Sequence, residues 1–320
     1  MTTIGPPYPA PTPIVPADAG GVARGGEILA AGGIVAVASE TVYGLAADAA
    51  NGEAVARIYA AKGRPSFNPL ICHVSGMAMA QQIAEVGPVA QRLAAHFWPG
   101  PLTMVLPVRE GAALSSLVTA GLPTVAVRHP AHPAMLALIA AAGGPLAAPS
   151  ANASGTISPT RADHVAASLG GRIDLILDAG ATPQGIESTI VKVADDGLIL
   201  LRPGPITAEA LATASGLPVR AVEPLHAIEA PGQLASHYAP HKPVRLHASE
   251  AMDGEFLIGF GPMACDANLS EAADLTQAAA NLFALMHEAD ASCATRIAIA
   301  DIPDEGLGVA INDRLRRAAA

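Results

Sequence analysis

The chain contains 320 residues, of which 51% are hydrophobic and only 14% are charged. A chain of this length normally forms two domains, and so many apolar residues provide for a large core. The net charge of −10 offers no general positive field to attract nucleic acid, so we expect no stable nucleic-acid binding. Three scattered cysteines without a CxxC pair argue against a disulfide framework or a zinc site, and they favour a reducing compartment.

The N-terminal segment is rich in proline and lacks the basic and apolar regions of a signal peptide. We therefore expect residues 1–19 to form an extended arm. A stretch without charged residues runs from Arg128 to Arg161, but prolines interrupt it and exclude a membrane-spanning helix. These features predict a soluble, cytoplasmic protein with no membrane partner.

Apolar strand-like runs alternate with helix-like segments through residues 20–215, which we expect to form one domain. The predicted strands are 33–38, 68–74, 102–108, 124–130, 145–150 and 172–180, followed by a hairpin over 188–204 that turns at Asp195-Asp196-Gly197. The predicted helices are 52–63, 76–86, 88–100, 131–142, 160–169 and 207–215. This mixture of strands, helices and a hairpin predicts an α/β (α+β) fold on a twisted mixed sheet.

The pattern changes at residues 216–240, which contain four prolines and little periodicity and therefore predict a linker. Beyond it, strands are expected at 244–247, 254–261 and 295–301. A helix is expected at about 271–289, and a second one after residues 306–313. Residues 241–320 are therefore expected to form a small β/α domain of Rossmann-like character.

The densest polar cluster lies in "KGRPSFNPLICH", where Lys62, Arg64, Ser66 and Asn68 precede a strand that carries His73. A lysine point charge beside the planar fork of an arginine suits a polyphosphate. The alternative is structural, because cations commonly complement the dipole at a helix C-terminus and Pro-Ser is a turn sequence.

The stretch "SETVYGLAAD" follows the first apolar strand and is interpreted as a turn that either completes the fold or holds a substrate. Arg128 ends another apolar strand in a region without nearby carboxylates, and a buried arginine needs a partner. That partner is either a distant acid such as Glu40, in a structural salt bridge, or the carboxylate of a ligand.

Two further segments carry small polar groups. The loop "APSANASGTISPT" could bring backbone amides close to a nucleotide, although it is neither GxGxxG nor a P-loop. Glu187, Ser188 and Arg202 are expected at the same end of the predicted hairpin, where the alternative is a surface pair between Glu187 and Arg202. The chain shows no nucleophile motif, and its histidines lack metal-ligand spacing, so we expect no protein-held metal. This combination favours chemistry by positioning and charge stabilisation.

Taken together, "SETVYGL", "KGRPSFNPL", "WPGPLT", "TVAVRHP", "APSAN", "ESTI" and "LLRPGP" resemble the threonylcarbamoyl-AMP synthase family, whose catalytic unit is the YrdC-like domain. The motifs occur in the family's order over about residues 20–215. "APGQLASHYAPHKPVRL" and "GLGVAINDRLRRA" are similar to the linker and C-terminal domain of the two-domain members. The resemblance therefore covers nearly the whole chain after the N-terminal arm.

The resemblance implies that L-threonine, bicarbonate (or CO2) and ATP give threonylcarbamoyl-AMP and pyrophosphate. A tRNA threonylcarbamoyl-transfer complex would then use the product to modify the adenosine beside the anticodon. By position, the threonine-binding residues would be Thr41, His73, Arg128, Ala148 and Ser188. The ATP-binding residues would be Arg64, Asn68, Thr124, Ser150, Ser158 and Arg202. Lys62 and Arg64 would be catalytic, and Mg²⁺ would arrive with ATP, bound through its phosphates.

The chain departs from the family pattern at two places. Ala38 and Ser39 replace the usual Pro-Thr before Glu40, and Ala235 replaces the linker tyrosine that would reach the nucleotide. His237 and Tyr238 are candidates to take the place of that tyrosine.

The sequence leaves two other functions as alternatives. One is a carbamoyl-adenylate-forming enzyme of hydrogenase maturation, which the absence of a zinc-finger cysteine pattern disfavours. The other is a non-catalytic RNA-binding or ribosome-maturation module, which the net charge of −10 and the 3% aromatic content disfavour.

Overall fold

Two β-sheets organise the chain in the computed structural model, which describes residues 11–194, 196–221, 229–233 and 236–320. The large sheet has eleven strands in the order β1-β8-β2-β3-β7-β4-β6-β5-β9-β10-β11. Its strands are β1 (Ile14–Pro16), β2 (Val35–Ala38), β3 (Tyr43–Asp48), β4 (Ile71–His73), β5 (Leu102–Pro107), β6 (Thr124–Arg128), β7 (Leu146–Ala147), β8 (Leu175–Asp178), β9 (Thr189–Ala194), β10 (Gly197–Arg202) and β11 (Val219–Ala221). Parallel and antiparallel neighbours both occur, as in β4–β6 and β5–β6, so the predicted mixed α/β sheet is confirmed.

Helices cover both faces of this sheet. They are α1 (Ala19–Ala30), α2 (Gly52–Lys62), α3 (Met77–Ile83), α4 (Pro88–Phe97), α5 (Ser116–Thr119), α6 (Pro133–Ala142), α7 (Ala162–Leu169) and α8 (Ala208–Ser215). In β2, Val35 and Val37 join one core cluster while Ala36 and Ala38 join another on the opposite face. A strand covered on both faces reads as a continuous apolar run, which is why it could be predicted.

A second sheet of four parallel strands follows, in the order β12-β15-β13-β14. Its elements are β12 (Val244–Arg245), β13 (Glu255–Gly259), β14 (Ala267–Asn268), α9 (Leu275–Ala291), β15 (Arg296–Ile299) and α10 (Gly308–Ala318). We call these elements the C-terminal unit and those of the large sheet the N-terminal unit. The parallel order agrees with a small β/α domain, whereas its Rossmann-like character stays a prediction.

The C-terminal unit packs on loops of the N-terminal unit. Val42, Ile157 and Ile186 belong to the same buried cluster as Phe283 and its neighbours on α9. Gly185 lies against the backbone of α9 so closely that a Cβ there would clash with the carbonyl oxygens at Ala279 and Ala280. The two units therefore meet at the loops that precede β9 and follow β7.

Some elements differ from the sequence predictions. "YGLAAD" forms β3, antiparallel to β2, so the predicted turn is confined to residues 39–42 and the chain then re-enters the sheet. The strand predicted over 145–150 is only Leu146–Ala147, and α10 begins at Gly308, earlier than predicted. β1 and β11 fall within the predicted arm and linker, whose boundaries stay predictions.

Helix α1 was not predicted, because its four glycines lower its helix propensity. The glycines allow close packing instead. A Cβ on Gly26 would lie 2.9 Å from the Cβ of Ala141 on α6, and Asp18 caps the helix by accepting a hydrogen bond from the Gly21 amide (2.9 Å).

Parts of three predicted segments lie outside the described residues: residues 1–10 of the arm, Asp195 of the hairpin turn, and residues 222–228 and 234–235 of the linker, including Ala235. In the part of the chain that is described, no helix combines the length and apolarity required to cross a membrane.

Candidate active site

A pocket opens where the 39–42 turn, the ends of β4 and β6, the 148–150 segment and the start of β9 meet. Eight of the predicted site residues line it: Thr41, Arg64, His73, Arg128, Ala148, Ser150, Ser188 and Arg202. All five predicted threonine-binding residues are in this set. The described lining carries three arginines and one carboxylate, that of Glu187, so the pocket favours an anionic ligand.

Arg128 is the most constrained cation of the pocket. Its Nη1 donates to Thr41 Oγ1 (2.9 Å) and its Nε donates to the Gly100 carbonyl (3.2 Å). Its Nη2 lies 2.5 Å from Oε1 of Glu40, in an ion pair whose geometry is not that of an aligned hydrogen bond. Both side chains are buried, at 4% and 7% exposure, so Glu40 is the acid partner of Arg128 that the sequence left undecided.

The ionisation of Glu40 follows from this contact. Burial is the largest single effect and would raise the pKa of the Glu40 carboxyl, but the positive charge of Arg128 together with hydrogen bonds to the carboxyl holds that pKa below its ordinary 4.5. Glu40 is therefore a carboxylate at neutral pH. The turn that carries it is fixed by Ser39, whose Oγ donates to the Val42 carbonyl (2.7 Å) and lies 2.8 Å from Thr41 Oγ1.

His73 lies beside Arg128 on the neighbouring strand, since β4 and β6 place the two residues in register. Burial, followed by the charge of Arg128, lowers the pKa of His73 to about 3. Its Nδ1 has no hydrogen-bond partner among the described residues. His73 therefore offers a neutral imidazole to the pocket.

The hairpin β9–β10 supplies the opposite wall. Arg202 donates from Nε to the Ser188 carbonyl (3.0 Å) and from Nη2 to Ser188 Oγ (3.1 Å). The Ser188 hydroxyl also lies 2.8 Å from Thr103 Oγ1 on β5. Because all three side chains are buried, this wall is rigid and its guanidinium is held in one orientation.

The KGRPSFN segment divides into residues inside and outside the pocket. Arg64 lines it, and its Nε and Nη2 donate to the carbonyls of Asn68 (3.1 Å) and Pro69 (2.9 Å). Lys62 lies outside the described lining, where its Nζ donates to the carbonyls of Ser150 and Asn152, at 2.5 Å each. Lys62 thereby fixes the loop that carries Ser150.

Burial lowers the pKa of Lys62 well below 10.5 and that of Arg64 to about 10, and the positive charge of Arg64 adds to the effect on Lys62. Asn68 is 1% exposed, and both polar atoms of its side chain lack a partner among the described residues. A buried amide in this condition is suited to bind a ligand.

Thr124 and Ser158 also lie outside the described lining of the pocket. Thr124 begins β6 while Arg128 ends it, a separation of about 13 Å along the strand. Ser158 is fully buried and its Oγ donates to Oε1 of Glu187 at 2.5 Å. The structure thus connects Ser158 to the pocket through Glu187.

The sequence reasoning missed several residues that line the pocket, including Met135, Pro231 and Gly232. It also did not predict that Glu187 lines the pocket. The alternative of a surface pair between Glu187 and Arg202 does not occur: Glu187 is buried and its ion pair is with Arg314 of α10, 3.1 Å away. Arg314 is 127 residues away in sequence, and no local pattern indicates so distant a partner.

Four residues of the predicted linker line one side of the pocket: Pro231, Gly232, His237 and Tyr238. Tyr238 is 1% exposed and its ring stacks on Phe283 of α9 at a centroid distance of 5.5 Å. Gly232 has a positive φ of +85°, and a Cβ there would lie 2.8 Å from Arg202 Cδ. His237 and Tyr238 both line the pocket, so both stay candidates to take the place of the missing linker tyrosine.

The mixed sheet and the buried, arginine-rich pocket at its strand ends define an α/β protein whose pocket favours an anionic ligand. Comparison with known proteins narrows this class. A model of the Sua5, yciO and yrdC proteins, described as telomere recombination, matches residues 27–204. A second, described as the C-terminal domain of threonylcarbamoyl-AMP synthase, matches residues 206–320.

Relatives match over nearly the whole length. The threonylcarbamoyl-AMP synthase of Bacillus subtilis (strain 168) is 40% identical and covers 93% of this chain and 92% of its own. That of Pyrococcus abyssi (strain GE5 / Orsay) is 38% identical, with 90% and 91% covered. The crystal structure of P. abyssi Sua5 complexed with L-threonine has a TM-score of 0.87 at 35% identity and covers 96% of both chains. The chain belongs to the threonylcarbamoyl-AMP synthase family, which confirms the resemblance of its motifs.

Proposed function

We propose that this chain forms threonylcarbamoyl-AMP and pyrophosphate from L-threonine, bicarbonate or CO2, and ATP. The observation that supports this most directly is one buried pocket lined by three arginines: Arg128, which Thr41 and Glu40 hold, and the pair Arg64 and Arg202, whose charges act on each other. The first arginine suits a carboxylate and the pair suits a polyphosphate.

Threonine would bind on the Arg128 side. Its carboxylate would accept hydrogen bonds from Arg128, while the neutral imidazole of His73 and the hydroxyls of Thr41 and Ser188 would contact its polar groups. Ala148 would provide an apolar contact, since its methyl group is buried at the pocket wall. We propose that Glu40 orients Arg128 rather than touching the substrate.

ATP would bind on the side of Arg64 and Arg202, with Ser150 at the wall. The unpartnered amide of Asn68 lies outside the described lining and would be a further donor and acceptor. Thr124 and Ser158 are proposed to contact the nucleotide beyond the described lining of the pocket. Lys62 is proposed to lie near the phosphates, where its contacts with two carbonyls indicate that it also positions the Ser150 loop.

In the reaction, the threonine amine adds to CO2 and loses a proton to give a carbamate. A carbamate oxygen then attacks the α-phosphorus, the bond to pyrophosphate breaks, and threonylcarbamoyl-AMP forms. Arg64 and Arg202 would stabilise the charge that develops on the phosphates, as fixed cations do in phosphoryl-transfer sites. The buried pocket would hold water away from the mixed anhydride that is formed.

A Mg²⁺ ion is expected to accompany ATP. The described residues contain no group of three acidic, histidine or cysteine side chains that could hold a metal, and Glu40 and Glu187 are already paired with arginines. We propose that this ion is bound through the phosphates, whose charge it would partly neutralise. The product would pass in the cytoplasm to a transfer complex that modifies tRNA next to the anticodon.

The test is a pyrophosphate-release assay with ATP and bicarbonate, run with threonine, without it, and with serine in its place. We expect release that requires threonine and is weaker with serine. Arg64→Met should lower the rate on the order of 10²–10³-fold because it removes one charged contact to the phosphates. Arg24→Met, an exposed control on α1, should leave the rate unchanged. RNA binding at physiological salt without threonine-dependent release would instead support the non-catalytic alternative.

A further inference from the structure

Arg314, on α10 of the C-terminal unit, has a side chain with 0% exposure. A buried guanidinium needs partners, and two of those of Arg314 lie in the N-terminal unit. Its Nε donates to Oε2 of Glu187 (3.1 Å) and its Nη1 donates to the Pro203 carbonyl (2.5 Å). Its third partner is Asp313 of its own helix, at 3.2 Å. Arg314 therefore ties the terminal helix to the segment that leads into β9.

Glu187 divides its two carboxylate oxygens between the units. Oε1 accepts a hydrogen bond from the Ser158 hydroxyl at 2.5 Å, and Oε2 accepts one from Arg314. Its side chain is 7% exposed and lines the pocket directly before Ser188. Any shift of Arg314 would therefore reach the pocket through one intervening side chain.

Tyr238 provides a second contact between Arg314 and the pocket. The Arg314 guanidinium carbon lies 5.5 Å from the centroid of the Tyr238 ring, within the range of a cation–π interaction. The Tyr238 hydroxyl is buried, lines the pocket and has no hydrogen-bond partner among the described residues. One cation of the C-terminal unit thus supports two separate residues of the pocket wall.

We propose that Arg314 is a positioning residue of the adenylate-forming site, through which the C-terminal unit fixes Glu187 and Tyr238 in the pocket wall. This inference rests on the proposed function. Without Arg314, the buried Glu187 carboxylate loses its ion-pair partner. Arg202 would be the next available cation, because its positive charge already acts on Glu187. Glu187 would then compete with Ser188 for Arg202 and displace that guanidinium from its orientation towards ATP.

Arg314→Met tests the proposal, because it removes the charge and retains most of the side chain's length. We expect kcat/KM for ATP to fall about 10- to 100-fold, because a displacement of the Arg202 guanidinium by about 1 Å can cost that much in rate. The KM for threonine should change less. Arg316→Met, on the same helix but outside the described lining of the pocket, is the matched control and should stay within about twofold of the unaltered chain. Arg314→Lys retains the charge and should restore part of the loss.

A double-mutant cycle separates positioning from loss of stability. If Arg314 acts through Glu187, Arg314→Met combined with Glu187→Gln should be no worse than the more damaging single change. Multiplied effects, or an Arg314→Met variant with the ATP parameters of the unaltered chain, would overturn the proposal. If Arg314→Met does not fold, Arg314→Lys decides alone: an ATP KM raised at least about threefold supports the proposal, and an unchanged KM overturns it. An unaltered chain that releases no pyrophosphate would refute the proposed function itself.

Discussion

Glu40→Gln tests how far the pocket depends on its buried ion pair. Glutamine retains the size of the side chain and removes the negative charge that lies 2.5 Å from Arg128. Removing one partner of a buried pair typically costs about 3–5 kcal/mol, since the remaining charge stays buried. Arg128 would retain its hydrogen bonds to Thr41 and Gly100. We therefore expect Glu40→Gln to lower the unfolding free energy at pH 7 by about 3 kcal/mol, the lower end of this range.

Urea unfolding followed by the fluorescence of Trp98 measures this loss. Trp98 is the single tryptophan of the chain, and its indole lies 6.3 Å from the ring of His129, next to Arg128. Glu27→Gln, at an exposed position of α1, is the control and should change the unfolding free energy by less than about 0.5 kcal/mol. A loss in Glu40→Gln no larger than that of the control would refute the reasoning.

The same variant makes a prediction about pH. The folded-state pKa of Glu40 is below 4.5, so the pair's contribution is complete above pH 4.5 and is lost as the pH falls through the folded pKa. Glutamine has no such transition. The difference in stability between the unaltered chain and Glu40→Gln should therefore narrow as the pH falls below 4.5, and a constant difference would contradict the assignment.

Two further predictions concern His73 and Gly185. Burial lowers the pKa of His73 to about 3, so below pH 6.5 the unfolded chain binds a proton that the folded chain does not. His73→Gln should therefore reduce the slope of unfolding free energy against pH by up to about 1.4 kcal/mol per pH unit near pH 5. Equal slopes in the variant and the unaltered chain would contradict a neutral His73. Gly185→Ala places a methyl group against the backbone of α9 at a residue with φ +71°, and it should increase proteolysis of the C-terminal unit. Gly143→Ala is the control, because Gly143 has the same φ but open space around it, and it should not increase this proteolysis. Equal proteolysis of the two variants would refute an effect of the contact with α9.

The sequence determined the local features of this protein. Strands β2, β5 and β6 can be predicted from their apolar runs, because strands buried on both faces consist of nearly continuous apolar residues. The end of α2 could be placed at Gly63, which has the left-handed conformation (φ +59°) that glycine adopts most easily. The ordered motifs were also sufficient to indicate the family, and eight of the site residues that they predict line one pocket in the structure.

Only the tertiary structure decided which of these residues act on each other. The Glu40–Arg128 and Glu187–Arg314 pairs join segments far apart in the chain, and opposite charges alone do not indicate who pairs with whom. Lys62 illustrates the same limit, since the sequence predicts a phosphate contact and only the fold shows that the ammonium also donates to two carbonyls. Helix α1 was hidden because its glycines serve packing against α6 rather than helix propensity. Periodicity reports how a segment is buried, whereas the partner of a buried charge depends on the packing of the whole chain.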